Sequence, residues 1–157
     1  MRFVKESLMK APPEEVFEFH KQPNAIEILM PPWEDATIIR RANISVIGSQ
    51  AVIDTNIFGI FGSRWVAEHT NYDPPRMFED VQVAGPFNSW RHRHIFEPHE
   101  LGCTLRDDIE YEPPLWIAGQ IAAYLLIQPK LERMFCYRHE VTRKWCETNR
   151  LTDLDPT

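Results

Sequence analysis

The sequence predicts an α+β domain: a curved, seven-stranded antiparallel sheet wrapped around one long C-terminal helix, with two short helices after the first strand. Three observations predict it. A strand pattern at the start precedes two short helical stretches; six strand-like runs separated by turn signals fill residues 36–112; and a single helix-period run follows Pro113-Pro114. The chain has 157 residues, about one domain, long enough to bury a core without disulfide or metal staples. A sheet of this length must bury one face, and the terminal helix is the only large element available to cover it. One helix does not fill the concavity of such a sheet, so a cavity lined by strand side chains and the helix is expected.

In chain order, Arg2–Leu8 alternates Phe3 and Lys5 with Val4 and Glu6 and reads as a strand. Ala11-Pro12-Pro13 stops it. Pro13-Glu14-Glu15 opens a short helix, since proline suits the first helical position and acids suit the positive helix end. Pro23-Asn24 breaks that helix, and Ala25–Met30 forms a second short one. Pro31-Pro32-Trp33-Glu34 reads as a stiff connector with an anchoring Trp33, or as a gate whose Trp33 meets a ligand. Strands are expected at about 36–42, 50–59, 62–73, 76–84, 88–98 and 102–112. Their short connections make neighbours pair antiparallel as a meander. After Pro114 the apolar positions Ile117, Ile121, Tyr124, Leu125, Leu131, Phe135, Val141 and Trp145 recur at three- and four-residue steps. Pro129 inside that run should kink the helix or start a second segment. The domain is expected over 1–149, with a polar tail over 150–157. Of the 13 prolines, set against only 6 glycines, eight fall in four Pro-Pro pairs, each at an element boundary. There they limit the unfolded chain where glycine would loosen it.

Composition narrows the function. A net charge of −6 argues against nucleic-acid binding, because no basic excess exists to neutralise phosphates. The first residues lack the apolar core of a signal peptide, and the longest near-apolar stretch, Leu115–Ile127, is too short to span a bilayer. Cys103, Cys136 and Cys146 form no disulfide framework, and a reducing, cytoplasmic setting is expected. Walker A, GxGxxG, GxSxG and HExxH patterns are absent, so no nucleotide or other cofactor is implied. Monomer and homodimer are both compatible with the sequence.

Several fragments carry a resemblance. They are Pro31-Pro32-Trp33, Trp65-Val66-Ala67-Glu68-His69, Phe78 with Asp80, Gly85-Pro86-Phe87, the run Trp90 to Phe96, Asp107 to Tyr111, and Met134 to His139. In this order the chain resembles the START/polyketide-cyclase superfamily (SRPBCC, the helix-grip fold), in particular its bacterial cyclase/dehydrase-like branch related to coenzyme Q-binding START proteins. The resemblance covers about residues 3–145. It implies a START-like helix-grip fold with a hydrophobic-ligand pocket between sheet and helix, and no fixed chemistry, since this fold hosts carriers, cyclases and regulatory domains.

Chemistry concentrates on one strand. Trp90, His92, His94 and Phe96 alternate and therefore share a face. A tight turn at Glu100-Leu101 would set His94 opposite Asp107 and Phe96 opposite Leu105, placing a carboxylate beside an imidazole. The commonest role of such a group is a structural polar network with Asp107, Asp80 or Glu68. The alternatives are ligand orientation by His92 or His94, and general acid/base catalysis by His92 and His94 with Asp107. His-x-His offers two metal ligands from one face, but spacing fixes no third, so no metal is expected. Trp65 and Phe78 are expected to line the cavity, although the strand pattern leaves their inward face open; the resemblance favours Phe78 inward. Asp80, Phe87, Trp90, Phe96 and Tyr111 join them as lining candidates, as do Tyr124, Leu125, Leu131 and Phe135 on the helix. Arg138 reads as a surface or ion-paired arginine, with a carboxylate clamp as the alternative. The resulting expectation is a carrier or sensor for a small hydrophobic or amphipathic molecule. Its rivals are a cyclase or dehydratase and a regulatory scaffold with a closed interior.

Overall fold

A computed structural model describes residues 1–56, 62–113 and 120–153. The elements are β1 (Arg2–Met9), α1 (Pro13–Lys21), α2 (Ala25–Ile28), β2 (Ala36–Arg40), β3 (Gln50–Thr55), β4 (Ser63–Asp73), β5 (Met77–Ala84), β6 (Ser89–His99), β7 (Gly102–Glu112) and α3 (Gln120–Asp153). The seven strands form one antiparallel sheet in the order β1-β7-β6-β5-β4-β3-β2. Strands β2 to β7 are the expected meander, and β1 adds beside β7. An Arg2–Asp108 pair holds that junction through two hydrogen bonds of 2.9 and 3.0 Å, a bidentate geometry that fixes orientation as well as charge.

The sheet register depends on the β6–β7 hairpin. Gly102 opens β7 at φ +141°, and a Cβ there would stand 2.2 Å from the Met9 carbonyl oxygen. Only glycine allows this backbone approach. The turn sets His94 opposite Asp107 and Phe96 opposite Leu105, and pairs His92 with Ile109. On the other side of β6, Asp80 faces His92 and Phe78 faces His94. Thus β5 and β7 place a carboxylate on each flank of the histidine pair.

The described part of α3 is one helix with Pro129 inside it; Pro129 does not start a second segment. The helix runs through Asp153, beyond the expected start of the tail, and residues 154–157 lie outside the described residues. So does 114–119, which holds the expected helix start with Ile117. The buried line of α3 is Ile127, Leu131, Phe135, His139, Thr142 and Cys146, a run of three- and four-residue steps. Tyr124 and Leu125, expected to line the cavity, are 55% and 64% exposed. Leu125 lies two residues from Ile127, about 200° around the helix, and so points away from the sheet. Tyr124 precedes the first buried turn.

The interior has two apolar clusters. One gathers Phe3, Phe87, Trp90, Ile109, Tyr111, Ile127, Leu131 and Phe135. The other gathers Met9, Ala11, Val16, Phe17, Phe78, Phe96, Cys103, Leu105 and Cys146 beneath α1. His92 and His94 lie between Trp90 and Phe96 on β6, and Asp107 lies between Leu105 and Ile109 on β7, so a polar layer separates the clusters. Lys5 has the same strand parity as Phe3 and Met9, yet its ammonium reaches out to Glu132 of α3 at 2.6 Å. The three cysteines are free thiols. No helix among the described residues is long and apolar enough to cross a membrane.

Candidate functional site

Asp107 organises the polar layer. It is buried on β7, and His92 donates through Nε2 to its Oδ1 at 2.7 Å while His139 donates through Nε2 to its Oδ2 at 2.7 Å. His94 adds a close ion-pair contact, Nδ1 to Oδ1 at 2.8 Å, and its Nε2 stands 3.5 Å from Asp80. A carboxylate only accepts, so these bonds place the neutral His92 proton on Nε2 and leave Nδ1 as an acceptor. That Nδ1 stands 3.8 Å from Asp80. The two imidazoles are tilted by 40° with centroids 3.8 Å apart, and His94 stacks on Phe78 at 4.1 Å.

The electrostatics divide these groups. Burial pushes the His94 imidazole down, but the Asp107 and Asp80 carboxylates outweigh it and raise His94 to about 9. His94 is therefore the cation of the layer. Burial, reinforced by the neighbouring His94 charge, pushes His92 below its ordinary value. Burial would raise the Asp107 and Asp80 carboxyls; the imidazoles overcome this and hold both down, Asp107 far below the usual range. His20 on α1 donates through Nδ1 to the Val16 carbonyl at 2.8 Å. Burial and the His94 charge bring it down to about 4.

A cavity of about 220 Å³ lies against this layer, between β3–β6, α2 and α3. Trp65, Phe78, Phe87, Trp90, Leu131 and Phe135 line it, as do Asp80, His92 and His94. Asp107 and His139 stand behind that wall, bonded to the histidine pair or to each other. Trp65, Ala67 and His69 are the inward residues of β4, which settles the face that alternation left open. Other expected residues are placed elsewhere. Trp33 is 41% exposed and packs outside α3, with its ring against Tyr137 and beneath the Arg133 guanidinium. Phe96 packs against Phe17 at 5.2 Å in the cluster that α1 closes. Tyr111 sits behind Phe87 and Trp90, its hydroxyl bonded to Gln128 at 3.2 Å.

The structure also brings in residues that strand reading did not supply. His139 follows Phe135 by four residues and belongs to the same buried line, so helical spacing could have found it. Thr55 and His69 line the cavity with a buried hydroxyl and a buried Nδ1 that lack hydrogen-bond partners among the described residues. They are polar handles inside an apolar wall. Asp80, His92 and His94 bring three donor atoms within 4.8 Å of one another. This is the place among the described residues where a metal ion could be held, and Asp80 supplies the third donor from a neighbouring strand.

Comparison with known proteins agrees with this architecture. The family model described as polyketide cyclase / dehydrase and lipid transport matches residues 9–135. The chain belongs to that family. A START superfamily protein from Mycobacterium smegmatis is similar in structure, with a TM-score of 0.68 at 15% identity, covering 94% of this chain and 97% of the other. TTHA0849 from Thermus thermophilus superposes with a TM-score of 0.68 at 20% identity, covering 90% and 97%. The di-domain ARO/CYC StfQ of the steffimycin biosynthetic pathway gives a TM-score of 0.74 at 12% identity, covering 95% of this chain and 52% of that one. At these identities the likeness is one of fold. No curated protein matches the sequence. The family contains both cyclase chemistry and lipid transport, so the site must discriminate between them.

Proposed function

We propose that this chain binds a compact hydrophobic or amphipathic molecule in the cavity between sheet and α3, as a carrier or sensor. The observation that carries this reading is the cavity itself: about 220 Å³ with aromatic and aliphatic walls and a few polar groups set among them. Ligand sites are built in this way, with apolar surface for affinity and a few polar groups for orientation. The volume falls below the ~300–1,000 Å³ of drug-sized sites, which favours a bicyclic ring or a single short acyl chain over a two-chain lipid. The His94 cation, which lines the cavity, would donate to a ligand carbonyl or hydroxyl. Native mass spectrometry of gently purified protein tests the reading. A bound hydrophobe, released chemically unchanged, is the expected result. If extraction and a thermal-shift panel of hydrophobes reveal no ligand of any class, the reading fails.

A second reading, a cyclase or dehydratase, is favoured by one specific feature. His92 and His94 line the same cavity with their rings 3.8 Å apart, one offering an acceptor nitrogen and the other a donor beside Asp80. Such a pair can take a proton beside a carbonyl while donating to its oxygen. Time-dependent conversion of a bound polyketide-like molecule, lost in His92→Gln with binding retained, would establish it.

A further inference from the structure

We propose that Arg138 anchors a carboxylate on the molecule held in the cavity, making the ligand class an organic acid with a compact apolar body. The inference rests on the cavity being a ligand site. Arg138 lines that cavity from α3. Its Cζ stands 5.1 Å from the Phe135 ring centroid, and its Nε is sealed from solvent without a hydrogen-bond partner among the described residues. Four other arginines hold carboxylates: Arg2 takes Asp108, Arg64 takes Asp54, Arg93 takes Glu110 and Arg106 takes Glu6. Arg41 also borders the cavity, and it pairs with Glu27.

The nearby carboxylates do not fill this role. Asp107 is committed to three imidazoles and Asp80 to His94. They and Glu34 reach Arg138 only through their field, while burial pushes its pKa down. A guanidinium does not give up its proton in a protein. Its charge therefore stays in an apolar wall, where a hydrogen-bonding counter-ion brings the largest gain. A planar fork fits a carboxylate with two parallel bonds. The acidic groups around it disfavour a doubly charged phosphate, which leaves the singly charged acid. Phe135 and Leu131, one and two turns before Arg138, and Trp65 across the cavity would take the apolar body.

Calorimetric titration with two acid/alcohol pairs tests the proposal: 2-naphthoate against 2-naphthylmethanol, and octanoate against octanol. The wild-type chain should bind at least one acid about tenfold or more tightly than its alcohol, the scale of one charge-assisted hydrogen bond. Arg138→Gln should bring that acid to the alcohol's affinity and leave the alcohol unchanged. Arg138→Met, without ligand, should melt no lower than wild type, because a desolvated charge has been removed. Equal wild-type affinity for acid and alcohol overturns the anchor while leaving the cavity reading standing. So does a preference that survives in Arg138→Gln, or a lowered melting temperature in Arg138→Met. Binding of neither acid overturns the anchor, whereas the cavity reading falls only with the wider hydrophobe panel.

Discussion

His20 and His94 have rings 6.1 Å apart in one interior, and both are buried. His20 belongs to the end of the molecule that α1 closes, where Phe19, Phe78 and Phe96 surround it and its one bond goes to a backbone carbonyl. His94 belongs to the polar layer, between Asp80 and Asp107. The first is pushed down to about 4 and the second up to about 9. Burial penalises the charge of both; carboxylates supplied by the flanking strands decide the outcome for one. Both histidines border the cavity, so their partners, not their access to it, set them apart. The α1 end is filled by interlocking aromatic rings, whereas the layer and its cavity hold charged and unpaired groups.

The largest effect should come from removing the carboxylate that maintains the contrast. Asp107→Ala leaves the His94 cation and two imidazoles without their common partner. It should cost about 3–5 kcal/mol in urea unfolding, the cost of breaking a buried pair. Phe96→Ala at the closed end should cost a similar ~3–5 kcal/mol through cavity formation, yet leave ligand binding intact; a lost ligand there would break the division between the two ends.

The pH dependence sharpens the comparison. His94 has a raised folded pKa, so its contribution is fully present below about 6.5 and is lost as pH rises through about 9. It faces Asp107 of β7, Asp80 of β5, His69 of β4, His92 on its own strand and His20 of α1. His20 has the opposite sign: the unfolded chain binds the proton more readily, so stability falls as pH drops from about 6.5 towards 4. Each limb is worth at most ~3 kcal/mol. Unfolding midpoints across pH 4–10 should show His94→Gln flattening the alkaline limb and His20→Gln the acid limb; exchanged effects would refute the assignment. The smallest stability change belongs to Trp65→Ala. One side of that ring faces the cavity, so the cost should be about 1 kcal/mol, within the ordinary range for substitutions, while hydrophobe affinity falls severalfold by calorimetry.

Much of this site could be read from the chain because one short turn decides it. The two residues between β6 and β7 fix the register that sets His94 opposite Asp107, and alternation along β6 puts His92 on the same side. The other flank was less legible. Asp80 reaches the histidines only through the β5–β6 register, and β4 carries apolar side chains on both faces, so alternation did not choose between Trp65 and Val66. On α3 the difficulty was phase. An apolar stripe counted through Tyr124 and Leu125 misses the buried line through Ile127 and passes over His139. Arg138 reads from sequence as an ordinary helix-surface arginine, because the lack of a carboxylate partner among the described residues becomes visible only once the strands are assembled.

The placement of β1 beside β7 has a consequence for synthesis. Arg2 pairs with Asp108, 106 residues later in the chain. At translation speeds of about 5–20 residues per second, β1 emerges roughly 5–20 s before its partner strand does. During that interval its backbone edge and Phe3 have no native cover, a state open to pairing with other chains. The charges of Arg2, Lys5 and Glu6, later drawn to Asp108, Glu132 and Arg106, are then the strand's guard against aggregation on the ribosome.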